Sequence, residues 1–358
     1  MRVPRATHRR VRHAYGTTPD AHYALVEVEA AGVVGIGEAP TEIWWTGEDA
    51  PSVRGAIERH LAPALLGGPA SVRDAAATMD RALFGNPYAK AAVQMALWDL
   101  AGRRAGLPLH ELLGASRPAP TPIKYDIGWG TVEHAREEVA RGRERDLHYF
   151  KLKVGRDLRS DLERTAAAVG ALEAGESLGV DANGGWSLAV AIRAVPELER
   201  LGIAFLEQPV DRSQLDALAE VAGRTSIPVV AHESLVTPQD ALRIAALRAA
   251  ALWAVTPSIH GGILQTLDML ALARAHAIPC LLGSTFELGI ASAHMLHLGA
   301  AFPEIRNCPV PSDIVGPLYV DRDIVTEPLV LRDGCIEVPS GPGLGVEPDW
   351  EYIAACAA

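Results

Sequence analysis

The segment Tyr149-Phe-Lys-Leu-Lys-Val154 alternates apolar side chains with lysines, and its orientation decides the fold. A period of two marks a strand with Phe150, Leu152 and Val154 on one face and Lys151 and Lys153 on the other. The apolar face calls for a covering layer of helices, so the lysines look into whatever the opposite face encloses. In the reverse orientation the lysines would snorkel past a helix and strand Phe150, Leu152 and Val154 in a polar interior.

Segments of this kind recur. Short apolar stretches centre near Ile123, Phe150, Leu178, Phe205, Val229, Trp253, Cys280 and Ile305, 24 to 28 residues apart. Alanine- and leucine-rich stretches of helical periodicity lie between them, at 158–173, 188–201, 215–222, 238–249 and 263–276. Eight strands alternating with helices at this spacing predict an α/β chain folded as a (β/α)7β TIM-like barrel over residues 121–318. The nearly continuous apolar strands suit a parallel sheet buried on both faces.

Residues 1–120 predict a smaller α+β capping domain. Positions 24–30 alternate, Ala31-Gly32 turns the chain, and 33–39 returns as a hairpin. A loop over 41–49 carries Trp44 and Trp45, and helical periodicity follows at 53–66, 72–83 and 88–105. Arg117-Pro-Ala-Pro-Thr-Pro122 reads as a linker. The segment 319–358, with strand-like 329–331 and 336–338, is expected to pack back on the cap.

Composition narrows the function. Of 358 residues, 49% are apolar and 22% charged, the balance of a globular enzyme. A net charge of −11 argues against nucleic acid as a partner, and the basic stretch at 9–13 reads as a solvated strand or loop. Cys280, Cys308, Cys335 and Cys356 are scattered, forming neither a disulfide framework nor a zinc knuckle, which suits a reducing cytoplasm. The N-terminus lacks the apolar run of a signal peptide, and the longest apolar run, 244–255, is interrupted by Arg248 and too short for a membrane span. A soluble cytoplasmic protein is expected.

Active-site groups of such a barrel project from the C-terminal ends of its strands. Those ends read Lys151-Leu-Lys153, Asp181-Ala-Asn183, Glu207-Gln-Pro209 and His232-Glu-Ser234, followed by loops at 256–260 and 283–287. Crowding and burial of Lys151 and Lys153 are expected to lower a lysine pKa and make a usable base. Asp181 and Glu207 end adjacent strands, roughly 5 Å apart before side-chain reach is counted. They repel unless a cation such as Mg²⁺ lies between them, or unless the lysines alone balance them. No phosphate-cradling glycine loop and no Gly-x-Ser-x-Gly elbow is present.

Lys-x-Lys, Asp-x-Asn, Glu-Gln-Pro, x-Glu-Ser and the late Gly283-Ser-x-x-Glu287, each at a strand end, together resemble the enolase superfamily. Within it the chain is similar to the muconate-lactonizing (muconate cycloisomerase-like, mandelate racemase-like) subgroup. Asp313-Ile-Val-Gly-Pro-Leu, Pro342-Gly-Leu-Gly-Val and Gly35-Ile-Gly-Glu-Ala add to the likeness, which spans essentially the whole chain. The resemblance implies that Lys153 is the acid/base, Lys151 its electrostatic neighbour, and Asp181 and Glu207 ligands of a divalent metal. The metal would hold a small carboxylate substrate and stabilise its enediolate. Asn183, Glu233, Thr256, Ser284, Glu287 and Trp44 would lie on the substrate side or behind the ligands, under cap loops at 15–22 and 43–48. A homo-oligomer is also implied.

Two positions depart from that pattern. Where the subgroup carries its third metal-binding carboxylate stands His232, which favours transition metals over Mg²⁺. Either another divalent ion is preferred, or Glu233 substitutes after a local twist, or metal affinity falls. Where the subgroup carries a second acid/base lysine stands Thr256, five residues before Gly261-Gly262, and no lysine follows Lys153. Unless His260 supplies the second base, one-base chemistry is favoured: cycloisomerisation, or syn elimination such as dehydration. A racemase or epimerase relying on His260, and a non-catalytic carboxylate-binding descendant, are the alternatives.

Overall fold

A computed structural model describes residues 2–4, 12–13, 16–17, 20–68, 71–115 and 118–357. Of the basic stretch at 9–13, residues 9–11 lie outside the described residues; of the expected cap loop at 15–22, Gly16–Thr17 pairs with Arg12–His13 and 20–22 opens a long strand, while 15, 18 and 19 lie outside.

The cap opens with a long hairpin, β1 (Asp20–Ala30) and β2 (Val33–Pro40), paired antiparallel with Leu25 opposite Glu38. Ala31 and Gly32 both take positive φ (54° and 75°), the geometry of a two-residue turn whose twist matches the strands. The hairpin lies on helix α1 (Pro87–Ala105) so closely that Gly35 and Gly37 have no room for a side chain. A Cβ at Gly37 would stand 2.0 Å from the carbonyl oxygen of Ala92, and one at Gly35 2.1 Å from that of Ala96. That spacing explains Gly-Ile-Gly and delivers the next side chain, Glu38, to the barrel.

Seven parallel strands form the barrel sheet in sequence order: β3 (Tyr125–Ile127), β4 (Tyr149–Lys153), β5 (Ser177–Asp181), β6 (Leu206–Glu207), β7 (Val229–Ala231), β8 (Leu252–Val255) and β9 (Cys280–Leu282). A helix follows each strand. The five anticipated from the sequence appear as α3 (Leu158–Val169), α4 (Leu188–Arg200), α5 (Leu215–Ala222), α6 (Pro238–Leu247) and α7 (Ile263–Ala275), with α2 (Val132–Arg143) before them and α8 (Gly289–Ala301) after.

The eighth stave differs from expectation. Ile305 sits in a helical turn, Pro303–Arg306, because Pro303 starts a helix and the apolar centre there packs outward. Closure comes later: Ser312 N donates to Pro122 O (2.9 Å), Lys124 N to Ser312 O (3.1 Å) and Asp313 N to Leu282 O (2.8 Å), which places 312–313 between β9 and β3. The proposed linker also contributes, since Thr121–Pro122 pairs antiparallel with Cys335–Ile336.

Phe150, Leu152 and Val154 are fully buried against the helical layer, so the lysines of β4 do face the lumen. The lumen is layered. Phe205, Val230, Leu252, Ala254, Leu281 and Val310 make a separate apolar cluster, a floor on which the Lys124 ammonium sits over the Phe205 ring. The C-terminal stretch returns to the cap: Leu344 N donates to Asp99 Oδ1 (2.7 Å), and Arg103 pairs with Glu347 (2.8 Å).

Helix α8, wedged between barrel and cap, buries His294 with neither ring nitrogen bonded, and His297 beside it. Burial, with the neighbouring His297 imidazole second to it, drives His294 down to about 3, and burial drives His297 to about 4 despite its hydrogen bond to Leu344 O. Unfolded histidine titrates near 6.5, so in between only the unfolded chain takes up these protons. This contribution to stability is fully present above about pH 6.5 and is lost as pH falls from there toward the folded values. His294→Leu should therefore flatten the acid-side fall of the urea midpoint below pH 6.5; an unchanged slope would contradict the assignment.

Candidate active site

Lys151 stands at the centre of the lumen. Its Nζ is 2.8 Å from Asp313, 3.5 Å from Glu207, 3.6 Å from Asp126 and 3.7 Å from Asp181. These carboxylates come from four staves because the parallel register aligns them: Asp126 beside Lys151, Lys153 beside Asp181, Asp181 beside Glu207. Lys124 Nζ approaches Asp313 from below at 3.1 Å and lies over the Phe205 ring. Burial pulls the Lys151 pKa down, but Asp126, Asp313, Glu207 and Asp181 together outweigh it and hold the value well above normal. The same exchange lowers Glu207 well below the carboxylate range, where burial is outweighed by Lys151 and a hydrogen bond from His232.

Lys153 lies one step nearer the mouth and donates to Asp181 Oδ2 at 2.5 Å. Burial lowers its pKa, yet Asp181 offsets this and, despite Lys151, leaves it raised. This corrects the expectation of a lysine tuned toward neutrality: crowding by Lys151 is real, but the carboxylates outnumber the lysines. Lys153 rests as an ammonium.

Strand ends turn sharply here. Asn183 and Gln208 both hold positive φ (44° and 33°), a left-handed backbone that costs a non-glycine residue on the order of 1 kcal/mol or more. The turn at Gln208 aims its Oε1 at His232 N, Ser234 N and Ser234 Oγ (3.0, 3.2 and 3.0 Å), which ends the alternation of β7 at Ala231. Glu233 thereby swings inward and reaches Asn183 Nδ2 at 2.8 Å, the twist left open by the sequence. Asn183 Nδ2 also donates to Asp181 Oδ2 (3.1 Å), so one amide brackets two carboxylates.

His232, the residue at which the expected ligand pattern departs, is engaged on both sides. Its Nδ1 meets Glu207 Oε1 at 2.8 Å and its Nε2 meets Thr256 Oγ1 at 3.0 Å. The two departures from the subgroup pattern thus touch each other. Gly283 makes room for the contact, since a Cβ there would lie 2.3 Å from His232 Nε2 and 2.5 Å from Thr256 Oγ1.

His260 is not a free base. Its Nε2 accepts the Thr256 N–H (2.8 Å), its Nδ1–H donates to Val236 O (3.1 Å), and burial drives it down to about 3. One nitrogen serves the backbone just after β8 and the other the loop after β7, which corrects its expected role as a second base. Glu287 is equally committed, accepting from Ser284 Oγ, Thr285 N, Thr285 Oγ1 and Ser258 Oγ at 2.6–2.8 Å. It knots the loops after β8 and β9, and Ser284 belongs to that knot.

The cap closes over this mouth. Arg212 donates to Trp45 O (2.8 Å), and the Trp45 ring packs edge-on against His232 with centroids 4.7 Å apart. Trp44, anticipated on the substrate side alongside Trp45, directs its Nε1 to Glu42. Glu38 accepts from Leu288 N (2.7 Å) and Ala291 N (3.0 Å) at the start of α8, and Tyr23 Oη donates to Phe286 O (2.8 Å). Asp126, Asp313 and Lys124 were not singled out as site residues from the sequence. Lys124-x-Asp126 carries the same period-two signature as Lys151-x-Lys153, which was the signal available.

Residues 131–352 match the enolase C-terminal domain-like family and residues 1–114 the N-terminal domain of the mandelate racemase / muconate lactonizing enzyme family. The chain belongs to this family, and is an enolase-superfamily enzyme of the cycloisomerase-like type. It is 33% identical to muconate cycloisomerase 1 of Rhodococcus opacus over 95% of this chain and 93% of that one. The solved 2-chloromuconate cycloisomerase from Rhodococcus opacus 1CP superposes with a TM-score of 0.93 at 31% identity, covering 99% and 96% of the two chains. A dipeptide epimerase from Cytophaga hutchinsonii, solved with Mg and the dipeptide D-Ala-L-Val, gives a TM-score of 0.93 at 27% identity over 99% and 95%.

The donors fit a hard divalent ion in kind. The carboxylate oxygens Glu207 Oε2 and Glu233 Oε2 and the amide oxygen Asn183 Oδ1 are buried without a hydrogen-bond partner, a costly state for polar oxygens. They are not gathered into a closed cage: among the described residues no three His, Cys, Asp or Glu side chains form one. The lysine ammoniums stand among the carboxylates instead.

Removing Lys151 strands four buried carboxylates. Lys151→Met should cost on the order of 3–5 kcal/mol, seen as a lower urea midpoint at unchanged slope. A loss below about 1 kcal/mol would show that the lumen charges balance without it.

Proposed function

We propose that the chain catalyses a one-base reaction of the cycloisomerase type on a small carboxylate, with Lys153 carrying the proton to or from the carbon beside the carboxylate. The observation that carries this reading is the asymmetry of the lumen. One wall presents the Lys153 ammonium, hydrogen-bonded to Asp181. The facing wall presents Thr256 bonded to His232, and His260 with both nitrogens engaged.

The resting charge of Lys153 suits the cycloisomerising direction. When a carboxylate oxygen adds across a conjugated double bond, the displaced electron pair becomes an enolate, and a proton must be given to its α-carbon. An ammonium on one face does that in a single transfer. Syn elimination runs through the same residue with the proton moving the opposite way. Epimerisation needs a second proton carrier on the other face, which this wall does not offer.

Lys151 keeps its proton and contributes a fixed positive charge below the reacting carbon. Asp181 orients the Lys153 ammonium. Trp45 and the Arg212-held cap loop exclude water from the mouth. A divalent cation, Mg²⁺ by resemblance, would be held by Asp181, Glu207 and one further donor, and when bound would supply positive charge against the substrate carboxylate. The cycloisomerase relatives support this reading; the Mg-bound epimerase supports the cation.

In deuterated buffer, a panel of lactone, N-acylamino acid and dipeptide carboxylates should include a compound whose α-proton exchanges with wild-type enzyme. Lys153→Ala should slow that exchange by at least about 100-fold. Wild-type-level exchange in the variant would overturn the role of Lys153.

A further inference from the structure

We infer that Glu233, not His232, supplies the third oxygen to the divalent ion, and that His232 is a positioning residue bracing Glu207 against Thr256. The inference rests on the enolising reading above and assigns the ligand which that reading leaves open.

The imidazole is committed on both sides. If neutral, Nδ1–H donates to Glu207 Oε1 and Nε2 accepts from the Thr256 hydroxyl; if charged, Nε2–H donates to Thr256. Neither form leaves a lone pair free for a metal. The ring is also fixed in place, with Trp45 on its edge and the Gly283 backbone against Nε2. Turning it toward an ion would break two buried hydrogen bonds and leave Thr256 Oγ1 unpartnered.

Glu233 presents the opposite state. It is 1% exposed, Oε1 takes one hydrogen bond from Asn183, and Oε2 takes none. The same Asn183 amide donates to Asp181, so both acceptor oxygens lie within hydrogen-bond reach of one nitrogen. Two carboxylates packed this closely repel, and a cation between them relieves the repulsion. Glu207 Oε2 is unpartnered as well, on the strand next to Asp181. Asp181, Glu207 and Glu233 thus offer an all-oxygen set, the kind hard divalent ions prefer, while imidazole stays outside it.

The test uses Mn²⁺ on the full-length enzyme, with free Mn²⁺ followed by electron paramagnetic resonance. Glu233→Gln should weaken Mn²⁺ binding by more than about 100-fold, beyond what an outer hydrogen-bond partner contributes. His232→Gln, which removes only a brace, should weaken it by about tenfold. Spin-echo modulation of wild-type enzyme with Mn²⁺ should show no directly bound imidazole nitrogen, a readout that needs no variant to fold. A larger loss in His232→Gln than in Glu233→Gln, or a coordinated-nitrogen signal, overturns the assignment. If wild type exchanges α-protons but both variants bind Mn²⁺ as it does, the ligand assignment fails while the enolising reading stands. If wild type neither binds Mn²⁺ nor exchanges, both fail.

Discussion

Everything in the lumen is arranged around one ammonium. Lys151 Nζ lies within 4 Å of Asp126, Asp181, Glu207 and Asp313, drawn from four staves of the barrel. Each buried ion unpaired would cost several kcal/mol after relaxation, so the group is stable only as a set. The set fixes much else. It requires the parallel register that sets Asp126 beside Lys151 and Asp181 beside Glu207, and it requires the chain to close at Asp313 rather than earlier. It also sets the state of Lys153, which finds Asp181 already oriented and keeps its proton.

Given that frame, the two departures from the subgroup pattern make one structural unit. A histidine in place of a carboxylate and a threonine in place of a lysine are each puzzling alone. Together they hydrogen-bond at 3.0 Å over a glycine that has no room for a Cβ. Between them they replace a negative and a positive group with a paired imidazole and hydroxyl, changing little of the lumen's charge balance while removing the second proton carrier. On the proposed reading the reaction therefore becomes one-sided.

Much of this was legible in the sequence because it is periodic. Strand spacing fixes the barrel, and alternation in 149–154 fixes which face the lysines take. Other features were hidden for identifiable reasons. The closing stave carries only two ladder residues, too short to show a period, while Ile305 offered a stronger apolar signal that belongs to a helix. The inward turn of Glu233 depends on Gln208, 25 residues earlier, reaching across to the backbone of 232–234. The fate of His260 depends on hydrogen bonds to Thr256 N and Val236 O, which no local pattern encodes. The charge of Lys153 was hidden as well: burial and the crowding by Lys151 are outweighed by Asp181, followed by Asp126, a balance set by side-chain reach across strands rather than by alternation within one.

The central claim is that protons enter and leave the substrate α-carbon on one face only, through Lys153. It is tested most directly by incubating the enzyme in deuterated water with a chiral carboxylate that it exchanges, then resolving the enantiomers by chiral chromatography with mass detection. The account predicts deuterium incorporation with retention of configuration over many turnovers. Loss of optical purity in step with deuterium uptake would contradict it.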